Sequence, residues 1–128
     1  MAERTLKKKR PANMAVVVLR PSIIIASIKE PVPGWTDTIS AAGGLSMAVG
    51  SGLLNYVYGS DQNIADIIPV DFVVNGILAS TALKANKPGL TVIHSSTSHA
   101  NPVTWSDYIN IGFEMIKTQP LSFQVFTP

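Results

Sequence analysis

Met14 to Leu19 reads Met-Ala-Val-Val-Val-Leu, six residues without one polar side chain. Arg20-Pro21-Ser22 follows at once, and then Ile23-Ile24-Ile25. This run constrains the fold more than any other feature. A short β-branched stretch without alternation is the mark of a strand covered on both faces, as in parallel sheets, rather than of a sheet with one wet face. Proline cannot donate to a ladder, so the chain is expected to leave the sheet after Pro21. In open α/β sheets ligands lie beyond the carboxyl ends of the strands. Arg20-Pro21-Ser22 therefore occupies a position where backbone groups freed by the proline could meet a ligand amide. The plainer alternative is a strand end with a buried, salt-bridged arginine, and the pattern alone leaves both open.

The rest of the chain alternates. Met1 to Arg10 predicts a helix of good formers with few apolar positions, ended by Pro11. Pro31-Val32-Pro33-Gly34 predicts a loop. The small residues from Ser40 to Gly52 predict a short helix with turns. Asn55 to Asn63 predicts irregular structure, with a short strand at Val57-Tyr58-Gly59. Ile67 to Val70 predicts an extended segment, and Asp71 is expected to cap a helix over Phe72 to Ala85. Leu90 to Ser95 predicts a second β-branched strand. Thr104 or Ser106 is expected to cap a last helix to Lys117. Strand and helix in alternation indicate an α/β fold.

Only 14% of the 128 residues are charged, against 46% hydrophobic. A globular domain carries about a quarter of its residues as charges, so part of this surface is expected to lie against something else. Four of the ten cations sit together in Lys7-Lys8-Lys9-Arg10, and the remainder is slightly acidic. That pattern does not indicate a nucleic-acid partner. Lys7 to Arg10 reads as a solvated helix end, with contact to a phosphate as the alternative. There is no cysteine, which excludes disulfides, cysteine zinc sites and a thiol nucleophile. His94 and His99 lack the spacing and company of a metal site. Asp66 reads as solvated or arginine-paired. Trp35 reads either as a core plug or as a contact for substrate.

Several blocks taken together resemble a known family. Arg20-Pro21-Ser22-Ile23 and Glu30-Pro31-Val32-Pro33-Gly34-Trp35 resemble the nicotinamide-side segment of alcohol-forming fatty acyl-CoA reductases. Ala65-Asp66-Ile67-Ile68-Pro69-Val70-Asp71-Phe72-Val73-Val74-Asn75 is similar to a further block of that family. So is Ser95-Ser96-Thr97-Ser98 followed by Asn101-Pro102-Val103-Thr104-Trp105, although this chain carries His99 in a loop where the family block has glycine. The four blocks stand in the family's order over nearly the whole chain. A different extended dehydrogenase, acting on a nucleotide sugar or a sterol, places other loops there.

The resemblance implies an extended short-chain dehydrogenase with a Rossmann sheet, using NADPH to reduce a long-chain fatty acyl-CoA to a primary alcohol through an aldehyde. It implies that Arg20, Pro21, Ser22 and Ile23 bind the cofactor. It also implies that Pro33, Gly34 and Trp35 wall the acyl-CoA pocket, and that no metal or nucleic acid takes part. The family's glycine-rich turn and Tyr-x-x-x-Lys pair do not occur in these 128 residues, so no catalytic residue is assigned. The expectation is a partial Rossmann-like domain, with its N-terminal strands missing. Residues 1–118 would form the later part of the NAD(P)-binding domain and residues 119–128 the start of a linker. Such a fragment or short isoform is expected to be inactive alone, the alternative being a non-catalytic module that pairs with a full-length reductase. By resemblance the full enzyme belongs at peroxisomal or endoplasmic-reticulum membranes, attached through parts absent here.

Overall fold

A computed structural model describes residues 1–39 and 41–119. Most of the expected linker, residues 120–128, lies outside the described residues. The chain begins with helix α1 (Ala2–Lys9), which buries none of its side chains. Strand β1 (Ala15–Pro21) follows, and after a single residue comes β2 (Ile23–Ile25). Helix α2 (Ala41–Gly50), strand β3 (Ile67–Pro69), helix α3 (Val70–Lys84), strand β4 (Gly89–Ser95) and helix α4 (Trp105–Thr118) complete the order. The fold is α/β, as the alternation predicts.

The strands form two separate parallel pairs. β1 lies beside β4 in register from Ala15↔Gly89 to Pro21↔Ser95, and β2 lies beside β3 from Ile23↔Ile67 to Ile25↔Pro69. The proline break has its expected effect. After Pro21 the chain leaves one ladder, and by Ile23 it has joined the other. Helix α3 makes the connection from β3 to β4 and packs on β1. The approach is close at Gly76, where an added Cβ would lie 3.7 Å from Leu19 Cδ1 and 3.9 Å from Ser95 Oγ.

The core sits around the smaller sheet. Ala42 of α2, Ala65, Ile67 and Ile68 of the β3 segment, and Val73 of α3 are buried. Strand β1 differs from expectation. Ala15 to Leu19 are half-buried rather than covered on both faces, and Arg20 and Pro21 are exposed. Among the described residues β1 has β4 on one edge and no second strand on the other. Helix α3 is apolar around its whole circumference and leaves Phe72, Val74, Ile77, Leu78 and Leu83 exposed. Val57-Tyr58-Gly59 forms no strand. Its residues favour β structure, but that preference needs a partner strand to act on.

Candidate functional site

The carboxyl ends of β1 and β4 come side by side at Pro21 and Ser95. Beyond them both backbone N–H groups are engaged. The Ser22 N–H donates to the Ser95 carbonyl at 3.0 Å, and the Ile23 N–H donates to the Asp66 carbonyl at 3.0 Å. The expectation that the proline leaves N–H groups free for a ligand is therefore corrected, because both N–H groups after Pro21 are taken. What remains is a side chain. The Ser22 hydroxyl oxygen is buried and has no hydrogen-bond partner of ordinary geometry. A buried polar atom is costly unless it is partnered, and the Ser22 hydroxyl, at the carboxyl edge of the parallel pair, is engaged from within the chain only by its weak pull on the Asp66 carboxyl. Pro21 and Ile23 lie exposed on either side.

Arg20 is salt-bridged, but not buried. Its Nε–H donates to Glu3 Oε1 at 2.8 Å and its Nη2 bonds the other carboxylate oxygen, a bidentate clasp between β1 and α1. Its side chain keeps 46% of its surface exposed. The hydrogen bond from Arg20 holds the Glu3 carboxyl below its usual value. In water such a pair contributes little to stability; its effect is to aim the guanidinium.

Asp66, expected to be solvated or arginine-paired, is solvated and is also held by a serine. It is exposed, and its Oδ1 accepts from Ser96 Oγ at 2.6 Å, while Ser96 and Ser98 share a 2.8 Å hydroxyl contact. The Ser96 bond lowers the Asp66 pKa against the opposing effect of burial, with weaker pulls from Ser98 and Ser22. Thr97 Oγ1 donates to the Ile67 carbonyl at 2.6 Å. The loop after β4 is thus tied to the lead-in of β3.

The Pro31–Trp35 loop lies just beyond β2 and is pinned from both sides. Ser27 is buried. Its N–H donates to the Trp35 carbonyl at 3.1 Å, and its hydroxyl donates to the Val32 carbonyl at 2.6 Å. The Gly34 N–H returns a bond to the Ser27 carbonyl at 2.9 Å, with Gly34 at φ 80, where a side chain would be strained. Trp35 is 41% exposed, so it is no core plug. Pro33 and Gly34 are exposed beside it.

Asp71 supplies the second pin and the largest correction. It does not cap α3, for Pro69 holds the cap position and no side chain bonds there. Asp71 is buried in the first turn and accepts from the backbone N–H groups of Lys29 at 3.0 Å, Ile28 at 3.3 Å and Glu30 at 3.4 Å. Burial alone would raise its pKa. The N–H groups of Lys29, Ile28 and Glu30 outweigh that effect and leave it below the ordinary aspartate value.

His94 lies exposed on β4 opposite Arg20, and His99 lies exposed in the following turn. Among the described residues no cluster suits a metal ion. Lys7, Lys8 and Lys9 are solvated, while Arg10 donates to the carbonyls of Pro11 and Met14 at 3.3 and 3.1 Å and so braces the turn into β1. Sequence reasoning missed a cavity of about 400 Å³ between α2 and α4. Its signal was present, since Trp105, Ile109, Gly112, Phe113 and Ile116 recur at helical spacing along one face of α4.

The sequence is similar to those of known proteins. Residues 1–77 match the NAD-binding family model described as Male sterility protein. The chain is 42% identical to Fatty acyl-CoA reductase 1 of Rattus norvegicus over 120 residues, which is 90% of this chain and 22% of that protein. It is 38% identical to Fatty acyl-CoA reductase 1 of Homo sapiens over 112 residues, 86% of this chain and 22% of that one. It is 36% identical to Fatty acyl-CoA reductase wat of Drosophila melanogaster over 118 residues, 91% and 23% of the two chains. The chain thus spans less than a quarter of the length of these curated relatives.

Proposed function

The chain belongs to the male sterility protein family of NAD-binding domains, and from that premise we propose that it is the nicotinamide-side part of an NADPH-dependent reductase of long-chain fatty acyl-CoA. Its parallel strands and helices are those of a partial Rossmann-like domain, and the family takes a nicotinamide cofactor. The observation that carries the finer reading is the Ser22 hydroxyl at the joint carboxyl edge of β1 and β4, which makes no hydrogen bond of ordinary geometry within the chain. A nicotinamide carboxamide offers both a donor and an acceptor to such a group. NADPH, when bound, supplies the hydride. Ser22 orients its amide, Pro21 and Ile23 give it an apolar rest, and Arg20 stands at the rim. The loop of Pro33, Gly34 and Trp35, pinned by Ser27 and Asp71, walls the acyl-CoA and keeps water from the thioester.

The glycine-rich turn that cradles the pyrophosphate, and the Tyr-x-x-x-Lys pair that protonates the carbonyl oxygen, are not among these 128 residues. The chain alone therefore gives no turnover to alcohol. The test is NADPH oxidation with palmitoyl-CoA, run on the chain alone and on a chimera in which it replaces the matching segment of the rat reductase. Silence from the chain and activity from the chimera are expected. A folded chimera that does not bind NADPH, or turnover by the chain alone, would overturn the reading.

The exposed apolar face of α3 and the open edge of β1 favour a second reading, a non-catalytic module that pairs with a full-length reductase. Co-elution of the two chains without reductase activity in the chimera would select it. In either case we place the full protein at peroxisomal or endoplasmic-reticulum membranes, which fractionation of tagged protein tests. Among the described residues no helix is long and apolar enough to cross a membrane.

A further inference from the structure

The cavity between α2 and α4 has no part in the cofactor rim or the tryptophan loop. Its volume of about 400 Å³ falls in the range of small-molecule sites, roughly 300–1,000 Å³. Leu45 and Val49 of α2 face Ile109, Phe113 and Ile116 of α4 across it. Among the described residues no cation lines it, and Asp61 is the one carboxylate that does. At one point Tyr108 and Ser46 meet hydroxyl to hydroxyl at 2.8 Å and so satisfy each other.

The walls are fixed by backbone. Trp105 N–H donates to the Asn63 carbonyl at 3.0 Å and Ser106 N–H to the Asp61 carbonyl at 2.9 Å, lacing the cover segment to the start of α4. Gly112 lies mid-helix on the lining face, where a Cβ would meet nothing within 4 Å. A glycine weakens a helix interior, and here it leaves the cavity open.

We infer that this cavity seats the hydrocarbon tail of the acyl substrate, an inference that rests on the acyl-CoA reading above. The lining rewards burial of each methylene. The absence of any lining cation sets the site against the phosphates of coenzyme A, so the thioester and coenzyme lie outside. Gly112 is then the residue that sets how long a tail is accepted.

The full 128-residue chain tests this without turnover. Its two tryptophans give separate indole N–H signals in nuclear magnetic resonance spectra, and Trp105 lines the cavity whereas Trp35 does not. Palmitoyl-CoA is expected to move the Trp105 signal and to bind more tightly by calorimetry than octanoyl-CoA. Free coenzyme A is expected to leave that signal in place. Gly112→Leu fills the open space and is expected to cut palmitoyl-CoA affinity about tenfold with the far-ultraviolet dichroism unchanged. Gly112→Met, unbranched, repeats the test if the leucine variant does not fold. Palmitoyl-CoA binding that leaves Trp105 unmoved, or that Gly112→Leu does not weaken, overturns the inference and leaves the acyl-CoA reading standing. No binding of any acyl-CoA overturns both.

Discussion

The Asp71 carboxylate accepts a hydrogen bond from the Lys29 backbone N–H at 3.0 Å, across 42 residues of chain. Ile28 and Glu30 add two more donors to the same carboxylate. A carboxylate is an acceptor only, with room for several donors, and bonds to a charged group are stronger than neutral ones. The first turn of α3 therefore holds the segment that leads into Pro31–Trp35. Trp35 is presented by a loop with its own anchor, not by a free connector.

Replacing Asp71 by alanine removes all three acceptor contacts and should release the loop. In native-state hydrogen exchange the amides of Ile28, Lys29 and Glu30 are expected to exchange at least about tenfold faster, as loss of charge-assisted bonds implies. The amides of β1, which Asp71 does not touch, should keep their rates. Unchanged protection at Lys29 would show that the loop holds itself.

The same clamp gives a pH dependence. The folded-state pKa of Asp71 lies below the ordinary 3.8. Its stabilising contribution is therefore fully present above pH 3.8 and is lost as pH falls below that value through the lower folded pKa. The Lys29 and Ile28 amide shifts, followed in an acid titration, should inflect below 3.8. An inflection above it would mean that burial, which pushes the other way, outweighs the three N–H donors.

Ser22→Ala separates stability from binding. The hydroxyl it removes is buried and makes no hydrogen bond of ordinary geometry, only a weak pull on the Asp66 carboxylate, so the variant should unfold in urea within about 1 kcal/mol of the parent. In the chimera the same change should weaken NADPH about tenfold, the effect of losing one useful hydrogen bond. Equal cofactor affinity in the two proteins would remove Ser22 from the rim.

Thr104 closes a capping box with Asp107. Its hydroxyl accepts from the Asp107 N–H at 3.1 Å, and the Asp107 carboxylate accepts in turn from the Thr104 N–H at 3.2 Å. Thr104→Ala should cost about 1 kcal/mol by urea unfolding, with the loss concentrated in α4 and its contacts to the cavity. A variant as stable as the parent would show that α4 is held by packing alone.

What could be read in the sequence was local. Pro21 ends a ladder because of its own chemistry, Thr104 caps because of its own hydroxyl, and a β-branched run makes β1 wherever it lies. Asp71 was misread because its partners lie far off, at Ile28–Glu30, and the Ser96 bond of the exposed Asp66 was missed for the same reason. No nearby pattern marks such a carboxylate, and a first-turn aspartate looks like a cap until the loop it holds is seen. Val57 and Tyr58 show the reverse error, a strand preference with no neighbour to realise it. The four family-like blocks pointed to the Arg20–Ile23 edge and the tryptophan loop, whereas α4 was read only as a capped last helix, without its cavity face.

Between Pro21 and Ile23 the polypeptide exchanges β4 for β3 as its hydrogen-bonding companion in a single step. A link that short has no slack. Ser22 is the direct covalent route from the β1–β4 pair to the β2–β3 pair, which leads on to Ser27 and the Trp35 carbonyl it bonds. The edge proposed for the nicotinamide and the wall proposed for the acyl group are thus joined through one residue of strand-to-strand link.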